Sequence, residues 1–274
     1  MTNNDTFDQE IARKQARAEP FAIATVVRTL AATAAKPGAK ALLDENGAII
    51  AGFLGGGCVR GAIGRAAVEA IESGAPRLIS LKPQDLLDAD GIAPGEEREG
   101  IKYARNGCPS RGSMDIFVEP VLPKPRLVIC GQSEVARSLA ALTKGFDFQR
   151  IICATGATDA TPEVEQIVTH FDDDPIWETP AFVVIATQGQ GDEAALRRAM
   201  ESPAHHIAFV GSRRKFASLS EKLITDGVSE TALARVKAPA GLDIKAITPD
   251  EIALSILAEI IAVRREASGL ELGT

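Results

Sequence analysis

The strongest constraint on the fold is an alternation that runs through the second half of the chain. Four short apolar runs each end in a turn, and three of those turns open a helical stretch. Leu127–Cys130 leads into Gly131-Gln132-Ser133-Glu134-Val135-Ala136, and the helix that follows carries Val135, Leu139 and Leu142 on one face before Gly145. Ile151–Ala154 is the second run. Phe182–Ala186 ends in Thr187-Gln188-Gly189-Gln190-Gly191 ahead of a helix reaching Met200. Ile207–Val210 ends in Gly211-Ser212-Arg213-Arg214-Lys215, and Phe216, Leu219 and Leu223 then recur at helical spacing. A last helix opens on Thr248-Pro249-Asp250-Glu251, a capping box with proline at the first helical position. Apolar strands alternating with amphipathic helices imply a parallel sheet covered on both faces.

This half, residues 126–266, is expected to be a Rossmann-like domain. The half before it, residues 1–120, has a different texture. Glu119-Pro120-Val121-Leu122-Pro123-Lys124-Pro125 holds three prolines in seven residues and reads as a stiff linker between the two. Upstream, a polar helix over 5–17 precedes an apolar strand, Phe21–Arg28. Strands at Ala39–Asp44 and Ala48–Ala51 flank Glu45-Asn46-Gly47, a hairpin signal. A glycine-rich loop, Gly52-Phe53-Leu54-Gly55-Gly56-Gly57-Cys58-Val59-Arg60-Gly61, then enters a helix with Ile63, Ala67, Ala70 and Ile71 on one face and Gly74 at its end. Residues 84–112 are rich in proline, glycine and charge and read mostly as loop. Met114–Val118 alternates as a strand. The fold class expected is therefore α/β, with an N-terminal domain bearing a glycine-rich cysteine loop.

Charge and composition narrow the function. The 274 residues carry a net charge of −7 and 4% aromatics, which disfavours both a basic nucleic-acid face and a stacking platform for single strands. No apolar stretch is long enough for a membrane span, and the polar start is unlike a signal peptide, so a cytoplasmic protein is expected. In open parallel sheets, ligands bind beyond the carboxyl ends of the strands. Gly131 and Ser133 occupy two places of a dinucleotide fingerprint, but the acid that would hold the ribose is missing: the first acid beyond the second strand is Asp159. Ordinary NAD binding is disfavoured. Gln188 and Gly189 form a second strand-end turn. Gly211, Ser212, Arg213 and Arg214 form a third, which sets cations and backbone N–H groups at a helix start suited to an anion.

The four cysteines divide into two kinds. Cys130 and Cys153 sit inside apolar strands and read as core. Cys58 begins a helix, a position that lowers a thiol pKa, and Cys108 sits in Asn106-Gly107-Cys108-Pro109-Ser110-Arg111-Gly112. Gly55, Gly56 and Gly57 allow close backbone approach, and Arg60 and Arg111 set cations beside the two thiols. Neither cysteine has zinc-site spacing, and His205-His206 reads as a surface or core pair. Two exposed thiols beside cations suit a soft metal or sulfur species on a phosphorylated cofactor. An NAD(P)-linked oxidoreductase and a nucleotide-sensing regulatory protein stay open as alternatives.

Several motifs in order resemble the XdhC/CoxI accessory proteins. They are Gly55-Gly56-Gly57-Cys58, the Cys108 segment running into Asp115-Ile116-Phe117-Val118-Glu119-Pro120, the turn at Gly131, Gly211-Ser212-Arg213-Arg214-Lys215, and Ala238-Pro239-Ala240-Gly241-Leu242-Asp243-Ile244 followed by Thr248-Pro249-Asp250-Glu251. The resemblance implies a chaperone that binds molybdenum cofactor, as molybdopterin or its dinucleotide form. Such a chaperone supports sulfuration of the cofactor with a cysteine desulfurase and inserts it into an apo molybdenum hydroxylase of the xanthine or CO dehydrogenase type. It also implies a homodimer. Cys58 and Cys108 would meet molybdenum or the transferred sulfur, and Gly55, Gly56, Gly57, Arg60, Arg111, Gly131, Ser133, Gln188, Gly189, Gly211, Ser212, Arg213 and Arg214 would bind the cofactor. Arg60 and Arg111 stand where the family usually has Glu and Gly. The implied site requires two thiols far apart in the chain to converge on one cleft.

Overall fold

The computed structural model describes residues 3–31, 33, 35–107, 111–155, 163–171, 175–179 and 181–267, with Cys58 described by its backbone. The chain divides into two compact units, Met1–Pro123 and Lys124–Thr274. The first unit runs α1 (Asn3–Ala16), β1 (Phe21–Leu30), β2 (Lys40–Asp44), β3 (Ile49–Gly52), α2 (Gly57–Ser73), β4 (Arg77–Lys82), α3 (Gln84–Ala89), β5 (Glu97–Arg98), β6 (Ile101–Arg105) and β7 (Ser113–Val121). Its strands form one seven-stranded sheet in the order β3-β2-β1-β7-β4-β6-β5.

The predicted hairpin is present. Asp44 accepts from the Asn46 and Ala48 amides, and Gly47 takes the positive φ that the turn needs. That turn lies directly against α2: a Cβ on Gly64 would stand 2.8 Å from the Gly47 carbonyl oxygen, so both positions must be glycine. Helix α2 buries Val59, Ala62, Ile63, Ala66, Ala67 and Ala70, the stripe expected of helical spacing. Its alanines let it lie low on the sheet over Ala22, Ala24, Val26, Ile79, Leu81, Ile116 and Val118.

Two expectations for this unit are corrected. Residues 84–112, read as mostly loop, contain α3, β5 and β6, and β4 just before them went unread. Strand β6 pairs in parallel with β4 near the sheet edge, where residues 101–104 are only half buried, so Lys102 and Arg105 mask the strand period. The proline-rich segment is also not all linker, because β7 continues through Pro120, which pairs with Ala22 of β1. The β4 ladder stops at Val118, so Pro120 has a strand neighbour on one side only, and an edge tolerates its missing N–H.

The second unit runs β8 (Arg126–Cys130), α4 (Glu134–Leu142), β9 (Gln149–Cys153), β10 (Gln166–Val168), β11 (Phe182–Ile185), α5 (Asp192–Glu201), β12 (His206–Phe209), α6 (Arg213–Thr225), α7 (Glu230–Leu233), β13 (Val236–Lys237) and α8 (Pro249–Ala267). The six strands are all parallel, in the order β10-β9-β8-β11-β12-β13. This is the doubly wound Rossmann order, reversing between β8 and β11. Strand residues alternate between two cores. Val128, Ile151, Val183 and Ile185 pack under α5, while Leu127, Ile129, Ile152 and Val184 pack under α4 and α8. Cys130 and Cys153 are fully buried core residues, as expected. The short strands β10 and β13 and helix α7 were not anticipated, being too brief to show a period. No helix among the described residues is long and apolar enough to cross a membrane.

Candidate functional site

Helix α2 starts without a side-chain cap. Gly56 is its N-cap residue, at φ −77°, and contributes no hydroxyl or carboxylate to the first turn, which also lacks an acidic residue. The leading N–H groups of a helix have no partner within the helix and carry its positive dipole end. Among the described residues, Gly56 and Gly57 have nothing within 4 Å of where a Cβ would sit, and neither has a positive φ. The chain's own packing does not need glycine there. Gly55 does need it, at φ +132°. Arg60 lies exposed on the same first turn.

Sheet register fixes where the two cysteine segments leave the first sheet. Strand β3 and strand β1 run the same way, both antiparallel to β2; Gly52 is level with Ala24 through Ala41, and β1 runs on to its end at Leu30. Strand β7 begins there, with Ser113 opposite Leu30, and β4 and β6 both end there, with Lys82 beside Arg105. Segment 106–112 therefore leaves the Leu30 end of the sheet, and the loop into α2 leaves β3 at the level of Ala24, heading the same way. Asn106 pins the base of the second segment: its amide N–H donates to Lys82 O at 2.7 Å, and its side chain donates to Gly112 O at 2.6 Å. Cys108 itself lies outside the described residues, as does the Cys58 side chain. Arg111, in the left-handed region at φ +50°, reaches Asp85 at 3.8 Å with both side chains exposed, a weak and screened pair.

In the second unit, the three strand-end turns sit side by side, because Cys130, Ile185 and Phe209 share one level of the sheet. Several residues proposed for ligand contact have work inside the fold. A Cβ on Gly131 would lie 2.6 Å from both the Ala186 oxygen and the Thr187 Cα, so neighbouring β11 requires this glycine. Gly211 is held to glycine by the Phe209 ring, 2.5 Å from a Cβ there. Ser133 and Ser212 accept from the Ala136 and Lys215 amides and so cap α4 and α6. Gln188 stands at φ +51°, and the Gly189 amide donates to Asp192. Asp192 also takes the Thr187 hydroxyl and the Lys215 ammonium, the latter at 2.6 Å. Burial pushes the Asp192 carboxyl up, yet Lys215, Thr187 and the Gly189 amide outweigh it and hold the carboxyl below its ordinary value. Lys215 is thus committed to Asp192. Arg213 and Arg214 remain exposed at the start of α6.

Arg213 lines a cleft of about 590 Å3 together with Gly211, Lys237, Leu242, Asp243 and Lys245. Sequence reasoning missed the last four as site residues. Their segment was read only as a motif, and Lys237 ends a two-residue strand. Lys237 is oriented by Glu259, buried on α8, which also accepts from His206 Nε2 at 2.9 Å and from the Gly241 amide. Burial raises the Glu259 carboxyl, but these three donors bring it below its ordinary value. His206 is therefore a structural partner, as the sequence suggested. Among the described residues, no cluster of three or more His, Cys, Asp or Glu is placed to hold a metal ion. In the β8–α4 turn, the Gln132 side-chain nitrogen is buried without a hydrogen-bond partner.

Comparison with known proteins resolves the family. Residues 15–82 match the XdhC and CoxI family, and residues 127–260 match the XdhC Rossmann domain. The chain belongs to the XdhC and CoxI family. It is 30% identical to the uncharacterized protein YqeB of Escherichia coli (strain K12), across 95% of this chain and 46% of YqeB. It is 28% identical over 163 residues to a probable xanthine dehydrogenase subunit of Bacillus subtilis (strain 168), across 56% of this chain and 47% of that protein. The chain thus spans about half the length of the curated relatives it matches. Among solved structures it is similar to a xanthine dehydrogenase from Bacillus halodurans, at 19% identity and a TM-score of 0.44, covering 97% of this chain and 96% of that one.

Proposed function

We propose that this family member is an accessory factor for a molybdenum hydroxylase of the xanthine or CO dehydrogenase type. It holds the molybdenum cofactor, supports its sulfuration by a cysteine desulfurase and passes it to the apoenzyme. The observation that carries this reading is the start of α2, where two glycines not needed by the fold leave open space at an uncapped helix end that leads with Cys58. A bulky anionic ligand suits such a place, since backbone N–H groups and the helix dipole favour its charge and glycine allows close approach. The buried, unpartnered Gln132 amide offers a further donor in the second unit.

When bound, the cofactor supplies a molybdenum centre able to exchange oxygen and sulfur ligands. The chain supplies Cys58 on the first turn of α2, where Arg60 adds positive charge to the same turn. Arg213, Arg214 and the α6 amides would serve the nucleotide portion of a dinucleotide form. The Bacillus subtilis relative, named as part of a probable xanthine dehydrogenase, supports the choice of client.

The test is an equilibrium titration of the purified chain with isolated molybdenum cofactor. Cys58→Ala is expected to weaken binding at least tenfold, about 1.4 kcal/mol. Wild-type and variant chains that bind equally, or a wild-type chain that binds NAD(P)H and not the cofactor, would contradict the reading.

A further inference from the structure

A second cleft lies in the first unit, between α2 and strands β4 and β6. It holds about 270 Å3 and is lined by Ala62, Ala66, Ile79 and Ala104 as an apolar floor, with Arg65, Lys102, Tyr103 and Arg105 around it. Three cations and no carboxylate line it, in a chain whose net charge is −7. Lys102 is paired with Glu69 on the next turns of α2. Arg65 and Arg105 are exposed, and their side chains make no ion pair or hydrogen bond among the described residues. Two uncommitted guanidinium groups over an apolar floor form a recognition surface for a phosphate attached to a flat or apolar group.

The cleft adjoins the cysteine end. Arg65 folds back along α2, its Nη1 lying 3.7 Å from where a Cβ on Gly61 would sit. Gly61 is four residues from Gly57, about 6 Å along the axis at ~1.5 Å per residue. Arg105 directly precedes Asn106, the base of the segment carrying Cys108.

We propose that this cleft is the seat of the ligand's phosphate, gripped by Arg65 and Arg105, so that one small molecule spans from the cleft to the start of α2. This rests on the function proposed above and names where the phosphate sits. It assigns the phosphate of the pterin to the first unit.

The test separates the two levels. Phenyl phosphate and inorganic phosphate are titrated into the full chain by 31P NMR at low salt, with wild type, Arg65→Gln/Arg105→Gln and Arg213→Gln, each checked for an unchanged thermal melt. Phenyl phosphate is expected to bind more tightly than inorganic phosphate, because the floor is apolar. The double variant should weaken phenyl phosphate at least tenfold, while Arg213→Gln leaves it within twofold. No binding by wild type, no loss in the double variant, or a loss confined to Arg213→Gln each overturns the assignment. Molybdenum retained on purification by wild type and lost by the double variant supports both levels. Molybdenum retained equally by both overturns the cleft and spares the function. Molybdenum absent from wild type overturns the function, and the phenyl phosphate arm then decides the cleft alone.

Discussion

Two glycines can look alike in a sequence and differ in what demands them. Gly131 stands at φ +107° with a carbonyl oxygen and a Cα at 2.6 Å from its missing Cβ. Gly131→Ala should therefore destabilise the second unit by several kcal/mol, through strain and overpacking, read as a large fall in Tm. Gly57 meets nothing and begins a helix, so Gly57→Ala should leave Tm unchanged or slightly raised, since alanine is favoured over glycine in helices by up to ~1 kcal/mol. Cofactor affinity should fall in Gly57→Ala nonetheless. A Gly57→Ala chain that melts early, or that binds as wild type does, would show that the fold and not a ligand keeps this glycine. The buried thiols give a second check at this scale. Cys130 and Cys153 are fully buried, and burial, with Cys153 beside it, pushes the Cys130 thiol well up. Neither should react with a thiol reagent until the chain unfolds, and labelling of the folded chain at either residue would contradict their placement.

At the level of elements, the turn after β11 and the helix after β12 are joined through one carboxylate. Asp192 is held below its ordinary value in the folded state, so its stabilisation is fully present above the unfolded carboxylate pKa and is lost as pH falls through the lower, folded value. Asp192→Asn should cost about 1–3 kcal/mol at neutral pH. The cost should shrink toward zero in acid, where the native carboxylate is itself protonated. Melts of the two proteins across that range check it, and a difference that stays constant with pH would refute the ion-pair account. Elements of this half were legible because each of the four longer strands is a continuous apolar run closed by a small-residue turn. The capping box at Thr248 and Glu251 was legible for the same kind of reason, since its hydrogen bonds are local. Strand β6 was not, because this half-buried strand, second from the sheet edge, keeps charged residues on both faces. Strand β13 was not, because two residues carry no period. The Asp192–Lys215 pair was hidden as well: the sequence shows a run of cations at 213–215, but not that one of them is already neutralised from another turn.

For the whole molecule, the sequence disclosed two α/β units and the family, while the geometry added candidate residues within each unit. In the second unit, Gly131, Ser133, Gly211 and Ser212 serve packing and capping, and the open cleft sets Gly211 and Arg213 beside Lys237 and Lys245. In the first, Arg65 and Arg105 were passed over because isolated arginines on a helix and a short strand carry no motif, and the packing of α2 over β4 and β6 brings them to one cleft. Carriage of molybdenum cofactor by this chain is tested most directly by measuring molybdenum and pterin in the full chain purified from a host that makes the cofactor and from one that cannot. Both are expected in near-equimolar amount from the first host, and neither from the second. A chain free of molybdenum and pterin from both hosts would contradict the proposed function.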